Sequence, residues 1–176
     1  MKIACVLADG YEDSEFEEPT RAFLAAGHQV VVIGLEAGRQ LVGKRGTSRV
    51  TVERAIAANG NGEFDALFIP GGYSPDHLRA DGRMVAFARA FFDPDRPVFA
   101  ICHGPQLLMT ARVVHNRRLT AWRTVQDDLH QAGADVHDEE VVVDGLLVTS
   151  REPADLPAFI RASLEVLDRV PAEAGV

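Results

Sequence analysis

The feature that most constrains this chain is a repeated alternation of short apolar runs with longer segments of helical period. Residues 2–8 read as a strand, and residues 13–26 as a helix stopped by Gly27. Pro19 interrupts that helix, where a proline removes one intrahelical hydrogen bond, so it belongs near the first turn or at a kink. A valine-rich strand follows over 29–35. Gly38, Gly43 and Gly46 punctuate a looser stretch, with a hairpin strand expected at 49–53. Then come a strand at 65–70 closed by Gly71-Gly72, a helix at 84–92 and a buried strand at 97–101. Helices at 104–114 and 124–131 precede two strands, 140–143 and 146–149, joined by Asp144-Gly145. The last helix starts after Asp155 as N-cap, with Leu156, Phe159, Ile160, Leu164 and Leu167 along one stripe.

Strand–helix–strand order of this kind builds a mostly parallel sheet covered on both faces. Right-handed crossovers then restrict the fold to a doubly wound α/β sandwich of the flavodoxin-like class. A single domain over residues 1–170 is expected, with a frayed tail at 171–176. In such folds the functional groups gather at the carboxyl ends of the strands. Three loops occupy that end here: residues 9–13, 71–76 and 102–105.

Composition narrows the function. Against 18 basic residues stand 26 acidic ones, a formal net charge of −8, and no basic run is present. That balance speaks against phosphate-backbone binding, so no nucleic-acid contact is expected. No apolar stretch is long enough to span a membrane, and the N-terminus lacks the pattern of a secretory signal. The two cysteines, Cys5 and Cys102, form no C-x-x-C pair, and the histidines lack ligand spacing. Neither a disulfide, a metal nor a cofactor is expected, and the usage fits a reducing, cytoplasmic compartment.

The sharpest local signal is Phe99-Ala100-Ile101-Cys102-His103-Gly104-Pro105. A buried strand ends, one cysteine follows, and a helix begins at once. The small Ala100 and Gly104 flank the cysteine at the spacing of a nucleophile elbow, and Pro105 suits a first helical position. A helix N-terminus favours a thiolate there, the reactive form of the side chain. The plain alternative is a small buried hydrophobe at a strand end, which is how Cys5 reads. Gly71 and Gly72 allow close backbone approach, so the N–H groups of Gly72 and His103 can form an oxyanion hole.

The segment A-I-C-H-G-P-Q-L-L resembles the nucleophile segment of the ThiJ/PfpI superfamily, in its PfpI-type branch. E-D-S-E at 12–15, F-D-A-L-F-I-P-G-G at 64–72, V-V-V-D-G at 141–145 and T-S-R-E-P-A-D-L at 149–156 follow the same pattern in order. The resemblance implies His103 as the base paired with Cys102 and a glutamate, Glu12, against the sulfur. On this reading Asp13, Glu15, Glu17 and Glu18 are solvated charges at a helix start. It further implies that Asp76 stands where a longer glutamate reaches a neighbouring subunit's histidine, which requires a homodimer or larger. Trp122 stands where the branch often has a tyrosine near the pocket, and serves equally as pocket wall or core. Gly71 and Tyr73 complete the expected pocket.

The implied activity is a cysteine-dependent hydrolase at carbonyl centres. Its substrates would be reactive dicarbonyls and their protein adducts (a glutathione-independent glyoxalase or deglycase) or peptides (an intracellular peptidase). A redox-sensing stress protein and a holdase chaperone are the alternatives without turnover.

Overall fold

The computed structural model describes residues 1–56 and 60–170; the expected tail at 171–176 lies outside the described residues. Its strands are β1 (Lys2–Val6), β2 (Gln29–Gly34), β3 (Gln40–Val42), β4 (Arg49–Thr51), β5 (Arg54–Ala55), β6 (Ala66–Ile69), β7 (Val98–Ile101), β8 (Arg118–Leu119), β9 (Asp135–Val136), β10 (Val142–Asp144) and β11 (Leu147–Ser150). The helices are α1 (Asp13–Ala25), α2 (Ser74–Leu78), α3 (Gly82–Arg89), α4 (Pro105–Thr110), α5 (Arg123–Gln131) and α6 (Leu156–Arg169).

The main sheet runs in the order β10-β11-β7-β6-β1-β2-β5. Its pairings are parallel except for the β10–β11 edge hairpin. The chain leaves β1 toward β2 on one side and returns to β6 on the other. Strand order therefore reverses between β1 and β6, and the loops beyond their carboxyl ends open a crevice there.

The central strands are buried on both faces, so each face carries its own core. Ala4, Val6, Leu67, Ile69, Val98 and Ala100 pack on one side with α3, α4 and α5 residues such as Met84, Leu108 and Leu129. Ile3, Cys5, Leu7, Phe68, Phe99 and Ile101 pack on the other with Phe23 of α1 and Phe159 of α6. Phe23 meets the edge of Phe68 at 5.6 Å and 85° between ring planes. Each fully buried aromatic of this kind contributes on the order of 1.5–3 kcal/mol.

Several elements depart from the sequence pattern. The helix expected at 104–114 ends at Thr110, because Arg112 adopts φ 59° and turns the chain away. The helix expected at 84–92 starts earlier, at Gly82, where the Asp81 carboxylate accepts the Arg83 N–H at 2.8 Å. Asp155 occupies the N-cap position of α6 but caps nothing. Its carboxylate instead accepts Arg151 Nε at 2.9 Å, since a guanidinium fork outcompetes a lone amide. Pro19 lies in the second turn of α1, where it removes the bond to the Glu15 carbonyl.

Candidate active site

Cys102 follows β7 directly and adopts φ 60°, a left-handed conformation that a side chain occupies only at a cost. Its neighbours hold it there. The Cys102 N–H donates to the Ser150 carbonyl at 2.9 Å, and the Cys102 carbonyl accepts from Trp122 N–H at 2.9 Å. The turn closes with Gly104 N–H donating to the Ile101 carbonyl at 2.8 Å. A Cβ at Gly104 would stand 2.5 Å from the Ile69 carbonyl oxygen, so the elbow admits no side chain at that position. The sharp turn lifts the sulfur out of the sheet toward the β1 and β6 loops, leaving Cys102 7% exposed.

Four groups converge on that sulfur. The His103 ring lies alongside, with Nδ1 at 3.3 Å from Sγ. The N–H groups of His103 and Gly72 both point at Sγ, and the Glu15 carboxyl faces it. Glu15 is fully buried; its Oε2 accepts the Gly71 N–H at 2.9 Å. Its Oε1 is also buried, without a conventional hydrogen-bond partner among the described residues, which leaves it to share a proton with sulfur. Gly71 makes this contact possible: a Cβ there would sit 2.5 Å from Glu15 Oε2 and 2.8 Å from Cys102 Cβ. Gly72, at φ 75°, brings its amide over the loop, with a Cβ excluded by the Glu12 nitrogen at 2.5 Å.

The glutamate at the sulfur is therefore Glu15, not Glu12. Glu12 precedes α1, is itself buried, and faces Arg45 Nη2 at 3.4 Å and Lys44 Nζ at 3.8 Å. Glu15 lies one turn on, in line with Pro19 and Phe23 at i+4 and i+8, and that stripe of α1 faces the sheet. The same stripe overturns the reading of Glu15 as a solvated charge. Asp13 is buried as well, where its Oδ2 accepts the Arg45 N–H at 3.3 Å. The helical spacing of Glu15 from Pro19 and Phe23 is written in the sequence, but Glu12 has the same kind of spacing from Phe16 and Pro19, so only the packing of α1 chooses between them.

Electrostatics correct a second expectation. Burial pushes the Glu15 carboxyl up to about 7, more than its bonds to Cys102 and Gly71 lower it. Burial, and then the Glu15 charge, also hold the Cys102 thiol above its ordinary value, against the two amides that lower it. Cys102 is thus no freely ionised thiolate. A six-residue α4 contributes little dipole, while a neighbouring carboxylate repels a second charge. The two groups titrate as one pair, and sulfur is ionised when the shared proton sits on Glu15. His103 is held below its ordinary value by burial and by the Lys44 charge, with Asp76 acting the other way, so the imidazole is neutral near pH 7.

The remaining candidates frame the opening. The Trp122 ring stacks on His103 at 6.1 Å and 24° between planes and orients the imidazole. Tyr73 is 62% exposed beside the site. Its N–H donates to the Gly10 carbonyl at 2.8 Å. Asp76 is 65% exposed and pairs with Arg79 Nη2 at 2.8 Å, and within one chain it makes no hydrogen bond to His103. One element was absent from the expected site. The β3–β4 turn brings Lys44 to Glu12 and over the Tyr73 ring, with Nζ at 5.4 Å from its centroid. Only the glycines at 43 and 46 marked that turn in the sequence.

The chain that carries this site has known relatives. The DJ-1/PfpI family model matches residues 1–166. The chain belongs to the DJ-1/PfpI family. General stress protein 18 of Bacillus subtilis is 52% identical over 169 residues, covering 96% of this chain and 98% of that protein. Protein/nucleic acid deglycase 2 of Escherichia coli is 51% identical over 167 residues, covering 94% and 97%. Among solved structures, a two-domain protein of Anabaena variabilis with DJ-1/ThiJ/PfpI-like and ferritin-like domains superposes with TM-score 0.92 at 35% identity. The match covers 99% of this chain and 52% of that one. This agrees with the resemblance read from the short motifs. No described helix is long and apolar enough to cross a membrane.

Proposed function

We propose that this DJ-1/PfpI member is a cysteine-dependent stress-response enzyme of the cytoplasm acting on reactive dicarbonyls and their adducts, a glutathione-independent glyoxalase or deglycase. The observation that carries the reading is the convergence of His103 Nδ1, the Glu15 carboxyl and two amide N–H groups on Cys102 Sγ. The likeness to a protein named as a deglycase and to one named as a general stress protein supports it.

The geometry supports the following chemistry. Glu15 takes the thiol proton as the sulfur attacks the aldehyde carbon of methylglyoxal, and an S–C bond forms. The Gly72 and His103 amides hold the resulting oxyanion, which takes the proton back to give a hemithioacetal. His103, neutral near pH 7, removes the proton on the former aldehyde carbon and returns it to the adjacent carbon. That internal shift converts the hemithioacetal into a thioester of lactate, and water cleaves it to lactate and free Cys102. Methylglyoxal plus water becomes lactate, with no outside oxidant. For an adduct on an amine or thiol the former aldehyde carbon is already saturated, so the sulfur displaces the group. The C–N or C–S bond breaks as the new S–C bond forms, the proton taken by Glu15 passes to the departing amine or thiol, and the same proton shift and hydrolysis follow.

Asp76 enters only if a second copy of the chain brings its carboxylate to His103, which fits its exposed position beside Tyr73. The deciding experiment follows methylglyoxal loss and lactate gain for wild type and Cys102→Ser, with light scattering on the same samples. Lactate from wild type alone supports the reading. Equal loss in both proteins, or none in either, removes it. A monomer in scattering removes Asp76 from the site.

A further inference from the structure

The β3–β4 turn is held far more firmly than a surface turn requires. Gly43 N–H donates to the Ser48 carbonyl at 2.9 Å, Lys44 N–H to the Tyr11 carbonyl at 2.8 Å, and Gly46 N–H to the Gly43 carbonyl at 2.9 Å. The Ser48 hydroxyl bridges the Tyr11 hydroxyl at 2.9 Å and Glu17 Oε1 at 2.7 Å. A Cβ at Gly43 would stand 2.6 Å from Asp13 Oδ1, so the turn presses on the start of α1. The result of this clamping is the position of Lys44. Its Nζ lies over Tyr73, the residue after the Gly72 amide, and its charge is felt by both Glu15 and His103.

Lys44 is incompletely used there. Arg45 takes the shorter contact to Glu12, 3.4 Å, and leaves Lys44 the longer one, 3.8 Å. Among the described residues Lys44 Nζ makes no hydrogen bond, although an ammonium has three to give. Its side chain is 44% exposed, so the head is open to an incoming group. The chain as a whole carries −8, so a fixed cation at the mouth of the site selects rather than merely attracts.

We propose that Lys44 is a specificity residue that binds an anionic group, a carboxylate or a phosphate, carried by the substrate close to its reactive carbonyl. The proposal rests on Cys102 as the nucleophile described above. An adduct on a free amino acid or on a mononucleotide meets the requirement, while the same adduct on an amide or a nucleoside does not.

The test uses two alkylating agents that differ in charge. Iodoacetate and iodoacetamide both form an S–C bond at Cys102 and release iodide, and the buried Cys5 stays out of reach. The iodoacetate-to-iodoacetamide rate ratio at low salt cancels any change in the acidity of the sulfur. It falls about tenfold in Lys44→Met, the size of one well-placed charge contact. It is retained in Lys44→Arg and in Arg169→Gln, a distant charge removal, and circular dichroism confirms the fold of each. A ratio unchanged in Lys44→Met overturns the proposal.

Turnover then names the anion. Methylglyoxal adducts of N-acetylcysteine and N-acetylcysteinamide compare carboxylate with neutral, and adducts of guanosine monophosphate and guanosine compare phosphate with neutral. The anionic member of at least one pair is preferred in wild type through a lower KM, and Lys44→Met loses the preference. Equal KM values within both pairs overturn the substrate assignment. A responsive alkylation ratio with no turnover of any adduct overturns the proposed enzyme activity instead, and leaves the anion contact standing.

Discussion

Cys5 and Cys102 belong to the same face of the same sheet, yet only one stands beside proton partners. Both are buried, and burial raises both thiols. Cys5 sits in mid-strand on β1 with regular backbone, in register with Val32 and Phe68. Cys102 sits one residue past the end of β7, at φ 60°, where the turn swings its side chain to an imidazole, a carboxyl and two amides. Burial alone makes an inert thiol; what separates the two is a backbone turn that places proton partners within reach of sulfur.

That contrast breaks most decisively by substitution. Cys102→Ser lowers turnover of methylglyoxal by about 1000-fold or more, since the hydroxyl is a far poorer nucleophile. Cys5→Ser keeps kcat and instead loses about 1–3 kcal/mol of stability in urea titration, because a hydroxyl is buried without a partner. Comparable activity losses in both variants would erase the distinction.

The next effect separates the two glutamates. Glu15→Gln lowers kcat about 100-fold through loss of the proton shared with sulfur, whereas Glu12→Gln changes it by no more than about threefold. In wild type, kcat/KM rises with pH through an apparent value near 7, where the pair loses its first proton; Glu15→Gln loses that limb.

Stability reports the same carboxyl with the opposite sense. The folded-state value near 7 exceeds the unfolded 4.5, so the folded protein binds the extra proton between them. Folding stability from this group is full below about 4.5, declines as pH rises and levels off above 7, with a total span on the order of 3 kcal/mol. Glu15→Gln, which carries no charge to bury, therefore gains on wild type by that amount between pH 4.5 and 8 in parallel denaturant titrations. A constant difference across that range would place the carboxyl in water.

The smallest effect concerns the imidazole. Trp122→Ala removes the ring stacked on His103 and lowers kcat about fivefold with KM little changed, the cost of a looser base. A KM effect alone would make Trp122 a pocket wall instead.

Much of this was legible along the chain because it is local. The elbow needs a strand end, a cysteine, Gly104 two residues on and Pro105 to start a helix, all contiguous, although the atom nearest a Cβ at Gly104, the Ile69 carbonyl oxygen, comes from β6. The β1 and β6 loops were likewise marked, by Gly71-Gly72 and by the acidic run after the first strand. The choice between Glu12 and Glu15 was not, since it turns on which face of α1 packs against the sheet. Lys44 was missed because it comes from a hairpin 57 residues before the β7 end, joined to the site only when the turn docks on Tyr11 and Asp13.

Sequence by itself determined the alternation of strands and helices, and hence the doubly wound sheet and the place where a cysteine meets a helix. Those follow from hydrophobic period and from the few residues that fit a tight turn. Tertiary structure alone decided which carboxyl shares the sulfur's proton, how strongly that proton is held and which cation overlooks the opening. These depend on distance and on exclusion of water, and both arise only when separate segments of the chain are packed together.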